Sequence, residues 1–425
     1  MSRTLAALLA ATVCVGTAVA QTPSAALADA PPLTLAEALA AARAQSPGID
    51  AADAGIRATD AARTVAGLRP NPSFEAQTEN VAGSGQYRGL SSAETTVGVA
   101  LPVELGGKRS ARVAVADARG DRARLQAAIA LADLELLVTQ TYIEAAAAER
   151  RLLAAREQVG IANEALRVAS DRVQVGDTSP IDQQRAEVQA INARTAADRA
   201  ERAVTVARGN LARLIGRPVT GALDSIWFNA IGGYGPVLPA QASGTLALVA
   251  AKADVATADA QVRLARAQRI PDVTISASAR RLEATNDVAA VFGVSIPIPL
   301  FNNGRAAVAQ AKAERDQFDA QRRLALLDTE RAIAAAQAEV ADAAANARAA
   351  GGPALAAAQE AARIARIGYG QGKFGQLELL EAERTLSETR ATATDALAAF
   401  HDAQARLRRL TSLAPAELQN SGDDQ

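Results

Sequence analysis

One turn-like stretch occurs twice in this sequence, and its recurrence limits the folds open to the chain more than any other feature. The first copy runs Arg172-Val-Gln-Val-Gly-Asp-Thr-Ser-Pro-Ile-Asp-Gln-Gln-Arg-Ala-Glu187, the second Gly368-Tyr-Gly-Gln-Gly-Lys-Phe-Gly-Gln-Leu-Glu-Leu-Leu-Glu-Ala-Glu383. Aligned on Gly176 and Gly372, an offset of 196 residues, each has a glycine able to end a helix in the left-handed region. Each then has four loop residues, an aliphatic (Ile181, Leu377), an acid (Asp182, Glu378) and an Ala-Glu pair. Ala-rich helical sequence flanks both copies. The chain therefore reads as an internal duplication, two long helical hairpins with tips at 175–180 and 371–376.

The rest of the two halves follows the same order. In the first repeat, residues 33–216, Thr34 and Glu37 form a capping box that opens a helix bent near Pro47-Gly48 and stopped at Arg69-Pro-Asn-Pro72. The period then changes to two over the strand pair 71–104, where Val97, Val99, Leu101 and Val103 alternate with Gly98, Ala100 and Pro102, each strand being about ten residues. Gly106-Gly107 opens a helix of roughly 70 residues, about 105 Å long. It carries Leu131, Val138, Ala145, Leu152, Val159, Leu166 and Val173 at heptad spacing, with mostly Ala three residues on, a close-packed left-handed seam. A return helix from Ile181 to Leu214 follows the tip, and a Gly- and Pro-rich connector, residues 217–244, holds the only tryptophan, Trp227.

The second repeat, residues 245–412, has a helix, a strand pair at 271–299 reading Val273-Ile275-Ala277-Ala279 and Phe292-Val294-Ile296-Ile298, and a long helix with Leu326, Ile333 and Val340 at heptad spacing. Pro297 and Pro299 fall in the last strand, where only an edge or a strand end tolerates them. Gly351-Gly352-Pro353 predicts a kink that the first repeat lacks. Residues 413–425 form a C-terminal tail. Each long helix could lie beside two shorter ones stacked end to end. The fold class is mainly α with a small β part.

Composition narrows the function. Lys plus Arg is 45 against 46 Asp plus Glu, which gives no basic surface for nucleic acid. Aromatics make up 3% of the chain, too few for large globular cores and suited to Ala-packed rods. Residues 1–20 read as a signal peptide, with Arg3, an apolar run from Leu5 to Val19 and Ala18-Val-Ala20 before the cut, and a Pro-rich leader follows at 21–32. Cys14 lies within the signal, after Val13 rather than the small residue of a lipoprotein signal, so the mature chain has no thiol ligand. His401 is the only histidine, and it reads as a packed or surface residue of the last helix. Gly370-Gln-Gly372-Lys373 is no phosphate loop, because Ile367 takes the first glycine position, Phe374 replaces Ser or Thr, and no strand precedes it. No catalytic, metal or cofactor site is expected, and nothing points to an enzyme.

Four alternating strands of about ten residues on an exported chain fit outer-membrane strands, with a soluble sheet cap on a helical rod as the alternative. If they enter lipid, four are too few to close a barrel and open edges are not tolerated there, so neighbouring chains must complete it.

The order helix, strand pair, long helix, Gly tip, helix, given twice after a signal, resembles the TolC-type outer-membrane efflux proteins from about Leu33 to Ser412. Arg69-Pro-Asn-Pro72, Leu101-Pro-Val-Glu-Leu-Gly-Gly-Lys-Arg109 and Ile296-Pro-Ile-Pro-Leu-Phe-Asn-Asn-Gly-Arg305 are similar to its CzcC-like branch, which works with cation-exporting pumps. The resemblance implies a homotrimer with a shared 12-stranded transmembrane barrel above a periplasmic helical tunnel in a Gram-negative bacterium. Its partners would be a periplasmic adaptor (membrane fusion) protein, an inner-membrane transporter of the resistance-nodulation-division (RND) class and outer-membrane lipid. It also implies that Val175, Gly176, Asp177, Thr178, Ser179, Gly372, Lys373, Phe374 and Gly375 contact the adaptor. Asp182, Glu378 and Glu381 would line the closed pore mouth, and Tyr369 would be the aromatic linked to the gate. The function implied is a passive exit duct for divalent heavy metals. Export of drugs, organic solutes or a secreted polypeptide is the alternative within the family, and a periplasmic coiled-coil adaptor the alternative outside it.

Overall fold

The computed structural model describes residues 32–232 and 241–416. The signal peptide, the leader up to residue 31, part of the connector and the end of the tail lie outside the described residues. The elements are helices α1 (Leu35–Gln45), α2 (Pro47–Ala66), α3 (Lys108–Gln174), α4 (Pro180–Ile215), α5 (Ser225–Asn229), α6 (Leu246–Ala267), α7 (Arg305–Ala349), α8 (Leu355–Gly370) and α9 (Gln376–Leu410), with strands β1 (Ser73–Glu79), β2 (Glu94–Val103), β3 (Val273–Leu282) and β4 (Asp287–Ser295). Both halves of the capping box form: Thr34 Oγ1 accepts from the Glu37 amide at 3.2 Å and Glu37 accepts from the Thr34 amide at 3.1 Å. At Pro47 the first helix divides into α1 and α2.

The strands make one antiparallel sheet in the order β1-β2-β3-β4, so the two repeats join at β2–β3 and β1 and β4 are open edges. Two sequence expectations are corrected here. β1 has seven residues rather than ten, and β4 ends at Ser295, leaving Pro297 and Pro299 beyond it. The physical reason is the missing proline donor: Ile296-Pro-Ile-Pro cannot keep up a ladder. Pro102 does lie in β2, one residue from its end, opposite Thr274.

The register puts Phe74, Val99, Ala277 and Phe292 in one row on one face, with Ala76, Val97, Ala279 and Ala290 in the next. Phe74, Val99, Phe292 and Val294 are all exposed, at 72%, 55%, 81% and 70%. The opposite face carries Glu75, Gln77, Thr96, Ser276, Ser278 and Arg280. It is the concave one, since a Cβ at Gly98 would overlap Ser278 and one at Gly293 would lie 2.6 Å from Ser276 Oγ.

Below the sheet the helices form a wall one helix thick. Near the sheet its order is α2-α3-α6-α7; at the far end it is α4-α3-α9 followed by α7 and α8. The 67-residue α3, about 100 Å long, runs through both levels. Its heptad positions turn inward as the spacing predicts: Val138 and Ala145 are fully buried, and Val159 and Leu166 pack on Ala162, Ala190 and Ala193. A wall this thin leaves its flanks bare. α2 buries no residue, and exposed aliphatics mark α4 (Val188, Ile191, Val206) at one side and α7–α8 (Leu324, Leu327, Ile364, Ile367) at the other.

A charged latch joins sheet and wall. Arg112 pairs with Glu104 and donates to the Leu68 carbonyl at 3.1 Å, while Lys108 pairs with Asp272 at 2.7 Å. The Leu101–Arg109 motif therefore holds the end of α2 and the start of β3 against α3. Midway along the wall, Tyr142 donates to the Leu33 carbonyl at 2.6 Å, and Trp227 stacks on His401 at 4.3 Å. This is the only aromatic-rich core among the described residues, and burial pushes the Tyr142 phenol up to about 12. The predicted kink appears as a five-residue π-helical turn, Ala350–Ala354, which absorbs Pro353 without ending the helix.

Candidate functional site at the helix tips

Both hairpins turn on the same hydrogen bonds. At the first tip the Asp177 amide donates to the Arg172 carbonyl (2.9 Å) and the Gly176 amide to Val173 (3.1 Å). At the second, Lys373 donates to Gly368 (2.8 Å) and Gly372 to Tyr369 (3.1 Å). These are Schellman closures at positions related by the 196-residue offset, with Gly176 at φ 76° and Gly372 at φ 71°. A left-handed residue is required there, and glycine takes that conformation without strain. The next helices begin at Pro180 and Gln376, so the turns occupy Val175–Ser179 and Gln371–Gly375.

Asp182 and Glu378 fall in the first turns of α4 and α9, where a carboxylate meets unpaired amides at the positive end of the helix dipole. Thr178 donates to Asp182 at 2.5 Å, and Arg185 is 3.7 Å away. Glu378 is exposed. Glu381 pairs with Arg384 on its own helix at 2.8 Å, a hydrogen bond that holds its carboxyl below the usual range.

The two tips touch. Gln376 Nε2 donates to the Asp182 carbonyl at 2.8 Å, which puts the starts of α4 and α9 at one level. Arg172 pairs with Asp177 at 3.0 Å and lies 5.1 Å from the ring centre of Tyr369. Tyr369 is 6% exposed, packed on Ala365, Leu379, Val168 and Ala382. Above the tips, a groove of about 930 Å³ separates α4 from α8 and α9; Tyr369, Glu381 and Arg384 line it, whereas Asp182 and Glu378 do not. Val175, Asp177, Ser179, Gly372, Lys373, Phe374 and Gly375 are exposed at the end of the molecule.

Sequence reasoning missed the ion pair with the most buried carboxylate here. Arg366 on α8 binds Glu383 on α9 through two hydrogen bonds, 2.5 and 2.9 Å, and Glu383 is 5% exposed. A signal was available, since Glu383 falls between the core residues Leu379 and Leu386 at helical spacing and so needed a partner. Arg172 and Gln376, which join the tips, had no comparable signal.

Comparison with known proteins accords with this architecture. The family described as outer membrane efflux protein matches residues 38–217 and 241–412. The chain is 28% identical to the cobalt-zinc-cadmium resistance protein CzcC of Cupriavidus metallidurans over 395 residues, 89% of this chain and 90% of that protein. It is 34% identical to the nickel and cobalt resistance protein CnrC of the same organism over 308 residues, 69% of this chain and 71% of that one. Among solved structures, the open state of the Neisseria gonorrhoeae MtrE outer membrane channel superposes with a TM-score of 0.72 at 20% identity, covering 89% of this chain and 88% of that one. This chain, with its exposed apolar sheet face above a long, duplicated helical wall, belongs to the outer membrane efflux protein family and is an outer-membrane protein with a long periplasmic portion.

Proposed function

We propose that three copies of the chain close a 12-stranded barrel over a continuous helical tunnel, the passive exit duct of a tripartite system. The observation that carries this reading is the pair of open sheet edges, β1 and β4, beside an apolar face made for hydrocarbon. Hydrocarbon leaves an unpaired strand edge without hydrogen-bond partners, at a cost of several kcal/mol per group. The bare aliphatics on the two flanks of the wall support the same assembly, because α2 and α4 of one copy can cover α7 and α8 of the next.

The duct would meet a periplasmic adaptor at the tips, through Val175, Gly176, Asp177, Thr178 and Ser179 of one turn and Gly372, Lys373, Phe374 and Gly375 of the other. Asp182, Glu378 and Glu381 would give the tunnel mouth a three-fold set of carboxylates, with Tyr369 bracing the helices behind them. An inner-membrane RND transporter would load it. The metal-resistance relatives support divalent cations as cargo. Two measurements test the reading. The purified protein in detergent should have the mass of a trimer and conduct in planar bilayers; a water-soluble monomer that forms no channel would overturn it. Deleting the gene should sensitise cells to cobalt, zinc or cadmium, and sensitivity to drugs alone would overturn the cargo.

A further inference from the structure

We infer that two residues on the concave face of the sheet, Glu75 and Arg280, set the ion selectivity of the barrel, apart from any gate at the helix tips; this rests on the duct reading above. Two independent observations make the concave face the lumen. It is the polar one, and it is where Gly98 lies so close to Ser278 and the Ala277 carbonyl that no side chain could be taken there. The rows on that face are Glu75–Gly98–Ser278–Val291, then Gln77–Thr96–Arg280–Ala289, then Glu79–Glu94–Leu282–Asp287. Its strand residues thus include the acids Glu75, Glu79, Glu94 and Asp287 and a single base, Arg280. Arg281, the next residue, points to the other face, beside Thr95 and Val288.

The acids differ in what surrounds them. Arg280 reaches across three strands, 3.0 Å from Glu94, 3.6 Å from Glu79 and 3.1 Å from Thr96 Oγ1. It offsets one of the three acidic charges of the outermost tier, Glu79, Glu94 and Asp287, and ties β1 to β3 through β2. Glu75 is exposed and sits beside Gly98, whose missing side chain leaves the carboxylate open to the lumen. Three copies make Glu75 an acidic tier with no base beside it, while Arg280 lowers the negative charge of the tier beyond it. The field of such tiers reaches about 10 Å at 0.1 M salt and about 3 Å at 1 M. A 12-stranded lumen lies between the filled interior of about 8 strands and the open channel of roughly 16, so wall charges cover much of its width at low salt.

The test is the reversal potential of single channels under a KCl gradient around 0.1 M. Wild type should prefer cations. Glu75→Gln should lower the cation-to-anion permeability ratio about twofold and Arg280→Gln raise it about twofold, with the differences vanishing near 1 M. Arg280→Lys, which keeps the charge, should behave as wild type. Shifts of opposite sign support the inference. If both variants shift the ratio the same way or neither shifts it, or if Arg280→Lys follows Arg280→Gln, the inference is overturned while the duct stands. A wild-type protein that forms no channel overturns the duct reading and this inference with it.

Discussion

The hairpin α3–α4 and the hairpin α7–α8–α9 close on identical backbone hydrogen bonds, yet their side chains hold them in different ways. In the first, α3 runs 67 residues without interruption, its seam is aliphatic on Ala, and the tip is held by Thr178–Asp182 and Arg172–Asp177. In the second, a π-turn interrupts the long helix, a carboxylate is buried in the seam, and Phe374 folds back over Gly368 so closely that a Cβ there would overlap its ring. Arg172 occupies the position equivalent to Gly368 and reaches over to Tyr369 of the other hairpin. Duplication preserved the turn, which the backbone alone imposes, and left the seams free to diverge. The second hairpin carries an ion pair whose carboxylate is 6% exposed, whereas the α3–α4 pairs of the first, Arg208–Glu149 and Arg156–Glu201, are more open to solvent.

The largest test of this contrast is Arg366→Ala, which leaves Glu383 buried and unpaired. Breaking a fully buried pair costs about 3–5 kcal/mol; with Arg366 40% exposed, about 2–3 kcal/mol is expected. Hydrogen exchange at the amides of α8 and α9 should accelerate accordingly. Glu187→Ala at the equivalent exposed site should change little, within about 0.5 kcal/mol; equal effects at the two sites would remove the contrast.

Next, Gly368→Ala should cost about 1–2 kcal/mol by overpacking against Phe374. Combining it with Phe374→Ala should cost less than the sum of the two singles, and strict additivity in this double-mutant cycle would argue against the contact. The third test addresses what the hairpins share. Gly176→Ala and Gly372→Ala both place a side chain at positive φ and should each cost about 1 kcal/mol, read as faster exchange in the last turn of α3 or α8. Very unequal costs would mean that the turns are not equivalent.

The smallest effect lies at the aromatic core between the hairpins. His401 Nε2 donates to the Phe228 carbonyl at 2.9 Å, its Nδ1 is buried with no partner, and burial lowers its pKa from the ordinary value despite that hydrogen bond. A histidine held neutral in the fold binds fewer protons than in the unfolded chain. Its contribution is complete above the unfolded value of about 6.5 and falls away as the pH drops below it. Fluorescence of Trp227, stacked on this ring, should show unfolding at higher temperature at pH 8 than at pH 5, and His401→Gln should flatten that difference.

Local rules made much of the fold legible. Thr34 and Glu37 announced a cap, Gly176 and Gly372 announced turns, and heptad spacing found the buried side of α3, because each of these acts within a few residues of chain. The prolines after β4 were visible too, but alternating aliphatics carried the strand past them, and the donor that each proline lacks decided where the ladder stopped. At the site, the exposed turn residues and the acids of the first helical turns could be read directly. Arg172, Gln376 and the partner of Glu383 could not, since each acts on a helix brought alongside by folding.

By itself the sequence determined that the chain is two copies of one plan, where each copy turns, and which strand face is apolar. Tertiary structure alone decided that β2 pairs with β3 and so joins the copies in one sheet, that Arg366 neutralises a buried Glu383, and that Arg280 spans three strands to Glu79. The division has a physical cause. Capping, periodicity and left-handed glycines are local free energies written into consecutive residues, whereas strand order and buried ion pairs depend on which distant surfaces meet.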